Sequence, residues 1–319
     1  MTGRLLIRAD GGPVVGHGHV MRCLALAQAW RARGGEALFV GNHDDALRGA
    51  LAASGFPALP VPRPHPDPAD VALTATLLED GDFAAAVLDG YRLDGGYQHR
   101  LRASGRRLLV IDDIAHLERY DADVLLNQNL GSDELAYCTA GEPEWLLGAR
   151  YALLREEFAG WQGPERSFPA HAERLLVTVG GSAQDERLAK ILRAVAPLGL
   201  DVRVAAGASP AEMPELMAWA DIALSAAGST CWELAFMGVP LAAIVLAANQ
   251  GRNASGLAAR GAAVFLGPLD DLSEERLGAE LAALATDEER RRRLSAAGRA
   301  LVDGRGAGRV AAALAGAGQ

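Results

Sequence analysis

The chain has 319 residues, half of them hydrophobic, with a formal net charge of −9. Two domains are expected at roughly 100–200 residues each, and the acidic balance argues against nucleic acid as a main partner. No unbroken apolar run comes near the ~20 residues of a spanning helix, and the opening run stops at Arg8 and Asp10, too short for a secretory signal; cytoplasmic residence without stable membrane association is expected.

Short apolar runs alternate with amphipathic stretches along the first half. Leu5–Ala9 reads as a strand, Gly11–Gly18 as a glycine-rich loop, and Val20 to about Arg33 as a helix. A strand over Glu36–Val40 and a helix over Asp44–Ser54 follow. The proline-rich stretch Pro57–Pro68 is expected to be an extended connector. Beyond it come a helix over Ala69–Glu79, a strand over Ala85–Asp89, a helix closing at Leu101–Ser104, and strands over Arg107–Ile111 and Val124–Leu126. A linker is expected in 160–170, where glycine, proline and charge cluster.

The alternation then restarts. Strands are expected at Arg174–Val179, Val202–Ala206, Ile222–Leu224 and Leu241–Leu246, with helices over Asp185–Ala196, Met213–Ala220, Ser229–Met237, Gly251–Arg260, Glu274–Leu284 and Glu288–Val302. The tail beyond reads as a glycine- and alanine-rich extension. Strands alternating with helices imply parallel sheets covered on both faces. The fold class is therefore α/β, with two doubly wound Rossmann-like domains, 1–163 and 164–319, and ligands expected in a cleft at the carboxyl ends of the strands.

Four motifs carry chemistry. In the first, Gly16-His17-Gly18-His19 lies between a strand and a helix. Its glycines let backbone amides approach a ligand, and the helix start offers unpaired N–H groups to a phosphate or sugar oxygen. In that field His19 is expected to stay neutral and to serve as a base; the plainer reading is a turn with an incidental histidine. In the second, Ser225-Ala226-Ala227-Gly228-Ser229-Thr230 leads into a helix. Ser229 or Thr230 can cap that helix and present a hydroxyl to a phosphate, and Glu233 can hold a ribose diol, unless the motif is an ordinary capping box. In the third, Asn249 and Gln250 follow a strand, with Asn253 close by, and can read sugar hydroxyls or serve as polar loop residues. In the fourth, Asp89-Gly90-Tyr91 and Asp112-Asp113 end neighbouring strands; the carboxylates suggest Mg²⁺ or, more plainly, loop capping. Cys23, Cys138 and Cys231 form no C-x-x-C pair, so buried reduced thiols are expected rather than a zinc or redox site.

Taken together these stretches resemble one family over nearly the whole chain. R-A-D-G-G-P (Arg8–Pro13), G-H-G-H-V-M-R-C-L-A-L-A (Gly16–Ala27), L-D-G-Y (Leu88–Tyr91), V-I-D-D (Val110–Asp113) and L-L-N-Q-N-L-G (Leu125–Gly131) look like UDP-2,4-diacetamido-2,4,6-trideoxy-β-L-altropyranose hydrolases of pseudaminic acid biosynthesis. So do L-L-G-A-R-Y-A-L-L-R-E-E-F (Leu146–Phe158), V-T-V-G-G (Val177–Gly181) and A-D-I-A-L-S-A-A-G-S-T-C-W-E (Ala220–Glu233). The resemblance implies a GT-B fold similar to MurG-type glycosyltransferases, with UDP on the second domain and the sugar facing the first. It implies His19 as the base and Tyr91 as an active-site tyrosine, with a minor role for His17. Gly180, Gly181, Gly228, Ser229, Thr230 and Glu233 would bind the nucleotide, and Asp10, Gly16, Gly18, Asn249, Gln250 and Asn253 the sugar side.

The implied reaction is attack of water on the anomeric carbon of a UDP-sugar, releasing UDP, with no cofactor and no metal. Three departures from the family pattern stand out: a strand–helix unit is missing between Gly207 and Pro210, Ala248 replaces a carboxylate residue, and Ala183 replaces the usual aspartate. Two other functions fit the same residues. A GT-B glycosyltransferase would pass the sugar to a polysaccharide or lipid acceptor, and a non-catalytic protein would bind the nucleotide sugar without turnover.

Overall fold

The computed structural model describes residues 3–161, 166–180 and 185–316. They form two compact units, one of residues 1–156 with 305–319 and one of residues 157–304.

The first unit begins with β1 (Arg4–Ala9), α1 (Gly18–Arg31), β2 (Glu36–Val40), α2 (Asp45–Ala53), β3 (Ala58–Leu59) and α3 (Pro68–Asp80). It continues through β4 (Phe83–Asp89), α4 (Gly95–Arg102), β5 (Arg107–Ile111), β6 (Val124–Asn127) and β7 (Glu144–Leu147). The seven strands form one sheet in the order β3-β2-β1-β4-β5-β6-β7, and every pairing is parallel. The strands are apolar on both sides because both faces are covered. Leu5, Ile7 and Val87 pack with Val20, Leu24 and Leu51 on one face, while Leu6, Leu88 and Leu108 pack with Leu78, Tyr97 and Leu101 on the other. Strand order reverses between β1 and β4, and the carboxyl ends of those two strands define the crevice where such sheets bind ligands.

The second unit contains β8 (Arg174–Thr178), α5 (Asp185–Val195), β9 (Asp201–Val204), α6 (Met213–Trp219), β10 (Ile222–Ala226) and α7 (Thr230–Met237). Beyond these come β11 (Leu241–Val245), α8 (Gly251–Ala259), β12 (Ala263–Pro268), α9 (Glu274–Thr286) and α10 (Glu288–Leu301). Its sheet is parallel in the order β12-β11-β10-β8-β9, with the reversal between β8 and β10. The chain passes from β9 to α6 through residues 205–212 without a further strand or helix.

The tail differs from its sequence reading. Gly306–Leu314 forms a helix, α11, that packs on α1 in the first unit. The boundary expected at 163/164 with the tail in the second domain is therefore replaced by a chain that leaves the first unit at Glu156 and re-enters it at Arg305. The physical reason is burial: Ala307, Val310, Ala311 and Leu314 join the core of the first unit. A Cβ on Gly306 would stand 2.2 Å from the Ala152 carbonyl oxygen, so only glycine permits that approach. Strands β7 and β12 also went unread in the sequence, as did β3, which lies inside the stretch expected as an extended connector. Among the described residues no helix is long and apolar enough to cross a membrane.

Candidate functional site

After β1 the backbone turns through the glycine loop. Gly12 and Gly16 exchange two backbone hydrogen bonds, 3.2 and 2.7 Å, that pinch the loop shut and leave Val14 at its exposed tip. Gly16 has φ +82°, a left-handed value that disfavours any side chain there. Gly18 is the first residue of α1, which places His19 in the first turn, over the carboxyl ends of β1 and β4.

His19 is nearly buried, and its Nδ1 lies 2.5 Å from Oδ1 of Asp89, the last residue of β4. A carboxylate only accepts, so Nδ1 carries the proton of this pair, and in the neutral ring the lone pair sits on Nε2. Among the described residues Nε2 has no hydrogen-bond partner. Arg22, one turn further along α1, donates from Nε and Nη2 to the two oxygens of Asp89 at 2.7 Å each, and from Nη1 to Asp113 at 2.8 Å. This planar fork bridges the ends of β4 and β5 and holds both carboxylates in fixed positions.

Burial pushes the Asp89 carboxyl up, but Arg22 and His19 pull it further down, to well below the usual carboxylate range. Asp113 follows the same balance: burial raises it, Arg22 outweighs burial, and the result lies below its ordinary value. The Cys23 thiol is pushed far up by burial and by Asp89, which leaves it inert. Tyr91 donates to Asp113 at 2.8 Å, and its ring meets His19 edge-on at 5.1 Å between centroids.

Neighbouring groups extend this polar edge. Asp10, at the end of β1, is held by Arg8 (2.8 Å) and accepts from the amide of Asn42 (2.8 Å). Arg8 itself is fully buried and pairs with the buried Asp70, which also accepts from Tyr97 at 2.7 Å. His17 points the other way from His19 and pairs with Asp44 at 2.8 Å. Asp112, buried at the end of β5, accepts from the amides of Ile114 and Ala115 and from the hydroxyls of Tyr120 and Tyr137. Asp112 and Asp113 thus act as hydrogen-bond hubs. A polar cavity of about 350 Å³ lies at the opposite, amino edge of this sheet, lined by Arg102, Arg107, Asp121, Asp123 and Glu144, whose charges pair with one another.

In the second unit Ser225 lies next to the end of β10, beside β8, and Thr178 donates to its hydroxyl at 2.7 Å. The chain then turns through Ala227 and Gly228 into α7. Ser229 stands at the N-cap, yet no side chain caps the helix, contrary to the capping expected of Ser229 or Thr230. Among the described residues no acceptor meets the amides of Ser229 and Thr230. Open space lies where a Cβ on Gly228 or Gly180 would point. An open helix start of this kind suits an anion. Glu233 lies one turn into α7, partly buried; Gly181 and Ala183 fall outside the described residues.

Gln250 and Asn253 use their amides inside the unit. Gln250 Oε1 accepts from the Leu246 amide at 2.8 Å, closing the turn after β11, and Asn253 donates to the Ala227 carbonyl at 3.2 Å, bracing the turn before α7. Asn249 is partly buried. Arg22 and His116 escaped the sequence reading. The signal for Arg22 was a charge three residues after His19, set among the apolar residues Val20 to Ala27.

Residues 175–303 match the glycosyltransferase family 28 C-terminal domain. An uncharacterized protein of Methanocaldococcus jannaschii is 21% identical over 280 residues, which is 77% of this chain and 56% of that protein, so the chain spans little more than half of that relative. Among solved structures, MurG of Acinetobacter baumannii superposes with a TM-score of 0.64 at 16% identity, covering 98% of each chain. The spinosyn forosaminyltransferase SpnP gives 0.69 at 16% identity, over 98% of this chain and 99% of that one. The spinosyn rhamnosyltransferase SpnG, complexed with thymidine diphosphate, gives 0.63 at 15% identity over the same shares. The fold is that of the GT-B glycosyltransferases.

Proposed function

We propose that this chain breaks the anomeric C–O bond of a nucleotide sugar and transfers the sugar to a hydroxyl group deprotonated by His19. The observation that carries this reading is the His19–Asp89 pair. Its geometry fixes the tautomer, leaves Nε2 without a protein partner, and backs the ring with a carboxylate that Arg22 keeps ionised. When Nε2 takes a proton from the nucleophile, the new positive charge arrives beside two carboxylates that share one guanidinium. Asp89 and Asp113 thus offset the charge as it forms, as the aspartate of a hydrolytic triad does. Base catalysis of this kind supplies typically ~10²–10⁴-fold.

In the second unit the amides of Ser229 and Thr230 would receive the diphosphate, with Glu233 on the ribose, and the larger share of the rate would come from stabilising the leaving diphosphate there. The match to the family 28 C-terminal domain over residues 175–303 and the sugar-transfer activities named for similar folds support transfer.

A second reading rests on the motifs that resemble the UDP-diacetamido-sugar hydrolases: the same His19 would activate water and release UDP and a free 2,4-diacetamido-2,4,6-trideoxy sugar. Release of UDP from candidate UDP-sugars by the purified protein separates the two. Release that requires an added alcohol or saccharide acceptor supports transfer. Release at the same rate without any acceptor supports hydrolysis. Tight UDP binding without release under either condition overturns both.

A further inference from the structure

His116 belongs to none of the roles above, yet it is built into the same edge of the sheet. Its Nδ1 lies 3.0 Å from Oδ2 of Asp112, and its Nε2 lies 2.9 Å from the backbone carbonyl oxygen of Tyr91. Both of these partners only accept. A neutral imidazole carries one N–H and completes one of the two bonds; the doubly protonated ring completes both. The ring also packs edge-on against the Tyr91 ring at 5.5 Å, on the residue whose ring meets His19 at 5.1 Å.

The supply of counter-charge points the same way. Asp89 and Asp113 share Arg22, and Asp70 has Arg8. Asp112 is buried, and among the described residues its ion-pair partner is His116. The other groups that face this pair are the hydroxyls of Tyr120 and Tyr137, both donating to Asp112. Burial and the nearby Asp112 push both phenols far up, so they remain donors through the neutral range. Asp113 takes the Tyr91 hydroxyl on the far side. The His116 side chain is one-quarter exposed, so its proton exchanges with solvent. Ala115, immediately before it, holds φ +52°, and the tight turn that this left-handed residue creates is what aims the ring back at Tyr91.

We propose that His116 is a positioning residue: when doubly protonated it ties Asp112 to the Tyr91 carbonyl and locks Tyr91 against the His19 ring. The proposal rests on the reading of His19 as the base. His19 acts with Nε2 unprotonated, so activity rises with pH on its account. His116 positions Tyr91 when protonated, so activity falls as pH rises through its titration.

Two measurements test this. Long-range 1H–15N correlation spectra of histidine-labelled protein, recorded from about pH 5 to about pH 9, should show both His116 nitrogens protonated at the low end and one at the high end. The Tyr91 ring resonances should move with that same transition. With a UDP-sugar that the protein turns over, His116→Gln should lower kcat by about 10- to 100-fold, the usual penalty for a small misplacement. KM should stay nearly unchanged and the alkaline limb of the pH–rate profile should disappear. A single protonated nitrogen on His116 throughout, Tyr91 resonances blind to its titration, or an unchanged alkaline limb in the variant overturns the proposal. If no UDP-sugar is turned over, the reading of His19 falls, while the spectra of the unmodified protein still decide whether His116 holds Tyr91.

Discussion

The two units have the same kind of sheet, reversed at the same kind of switch point, and they furnish its carboxyl edge in opposite ways. The first unit packs that edge with ionised groups: Arg8, Asp70, Asp89, Arg22, Asp112 and Asp113 are all buried there. The second unit turns through Ala226, Ala227 and Gly228 and leaves helix amides without acceptors. A group that must move a proton needs a fixed orientation and a low-dielectric charge balance, and only a dense network supplies both. A group that must accept an anion needs open backbone, which any large or charged side chain would obstruct. Under the proposed function, the contrast fits proton transfer in the first unit and anion capture in the second.

Removing the keystone of the network should break the contrast most severely. Arg22→Met leaves Asp89 and Asp113 buried beside each other without a counter-charge. Stripping one partner from a buried ion pair costs about 3–5 kcal/mol. Hydrogen exchange should show protection lost across β1, α1, β4 and β5 while β8, β10 and β11 retain theirs. Equal loss in both sheets would mean that Arg22 does not act locally. A step smaller, His19→Ala removes the proposed base without stranding a charge, since Arg22 still holds Asp89. Turnover should fall by ~10²-fold or more with UDP affinity by calorimetry nearly unchanged. A variant that keeps its rate would move the base elsewhere, with the His17–Asp44 pair the first place to look.

The contrast was partly legible in the sequence. Alternation of apolar runs with amphipathic stretches shows most of both sheets, because parallel strands are buried on both faces and read as continuous apolar segments. Strand β7, Glu144-Trp145-Leu146-Leu147, is four residues long and half exposed, so it shows no such run; β12 does carry one, Ala262 to Leu266, which the sequence reading passed over. The final helix hides among glycines and alanines because its fit on α1 depends on small residues. Within the site, the glycine loop marks His19 and the strand end marks Asp89, since both are local patterns. That Arg22 joins Asp89 and Asp113, 67 and 91 residues away, follows only from β4 and β5 lying next in order beyond β1, a tertiary fact with no local signature. For Gln250 and Asn253 the sequence shows an amide near a strand end, but not that the Leu246 amide and the Ala227 carbonyl engage one atom of each.

Acid should expose the same asymmetry more gently. The carboxyls of Asp70, Asp89 and Asp113 titrate below their ordinary values in the folded chain. Their contribution is therefore present above the unfolded carboxylate value of about 4 and is lost as pH falls through the folded values. In the second unit Glu212 and Glu275 are lowered, but they are exposed groups whose contribution solvent screens. Exchange protection in the first unit should decline from about pH 4 downward while that of the second holds. Parallel loss in both would deny the buried network its role.

The smallest expected effect concerns the turn that carries His116. A left-handed alanine costs roughly 1–2 kcal/mol relative to the ordinary helical conformation, and Ala115 bears this at φ +52°. Glycine relieves that cost but adds about 0.4–1 kcal/mol of freedom to the unfolded chain. Ala115→Gly should therefore raise stability by at most about 1.6 kcal/mol, read as a shift in denaturant midpoint. Its effect on turnover separates two uses of the strain. If the Asp112 hydrogen bonds to the amides of Ile114 and Ala115 fix the turn, the glycine variant keeps its rate. If the alanine Cβ is needed to stiffen it, the variant gains stability and loses turnover. The first outcome is expected, because Asp112 also holds His116 and two tyrosine hydroxyls, and a hub with five donors defines the turn whichever residue occupies position 115.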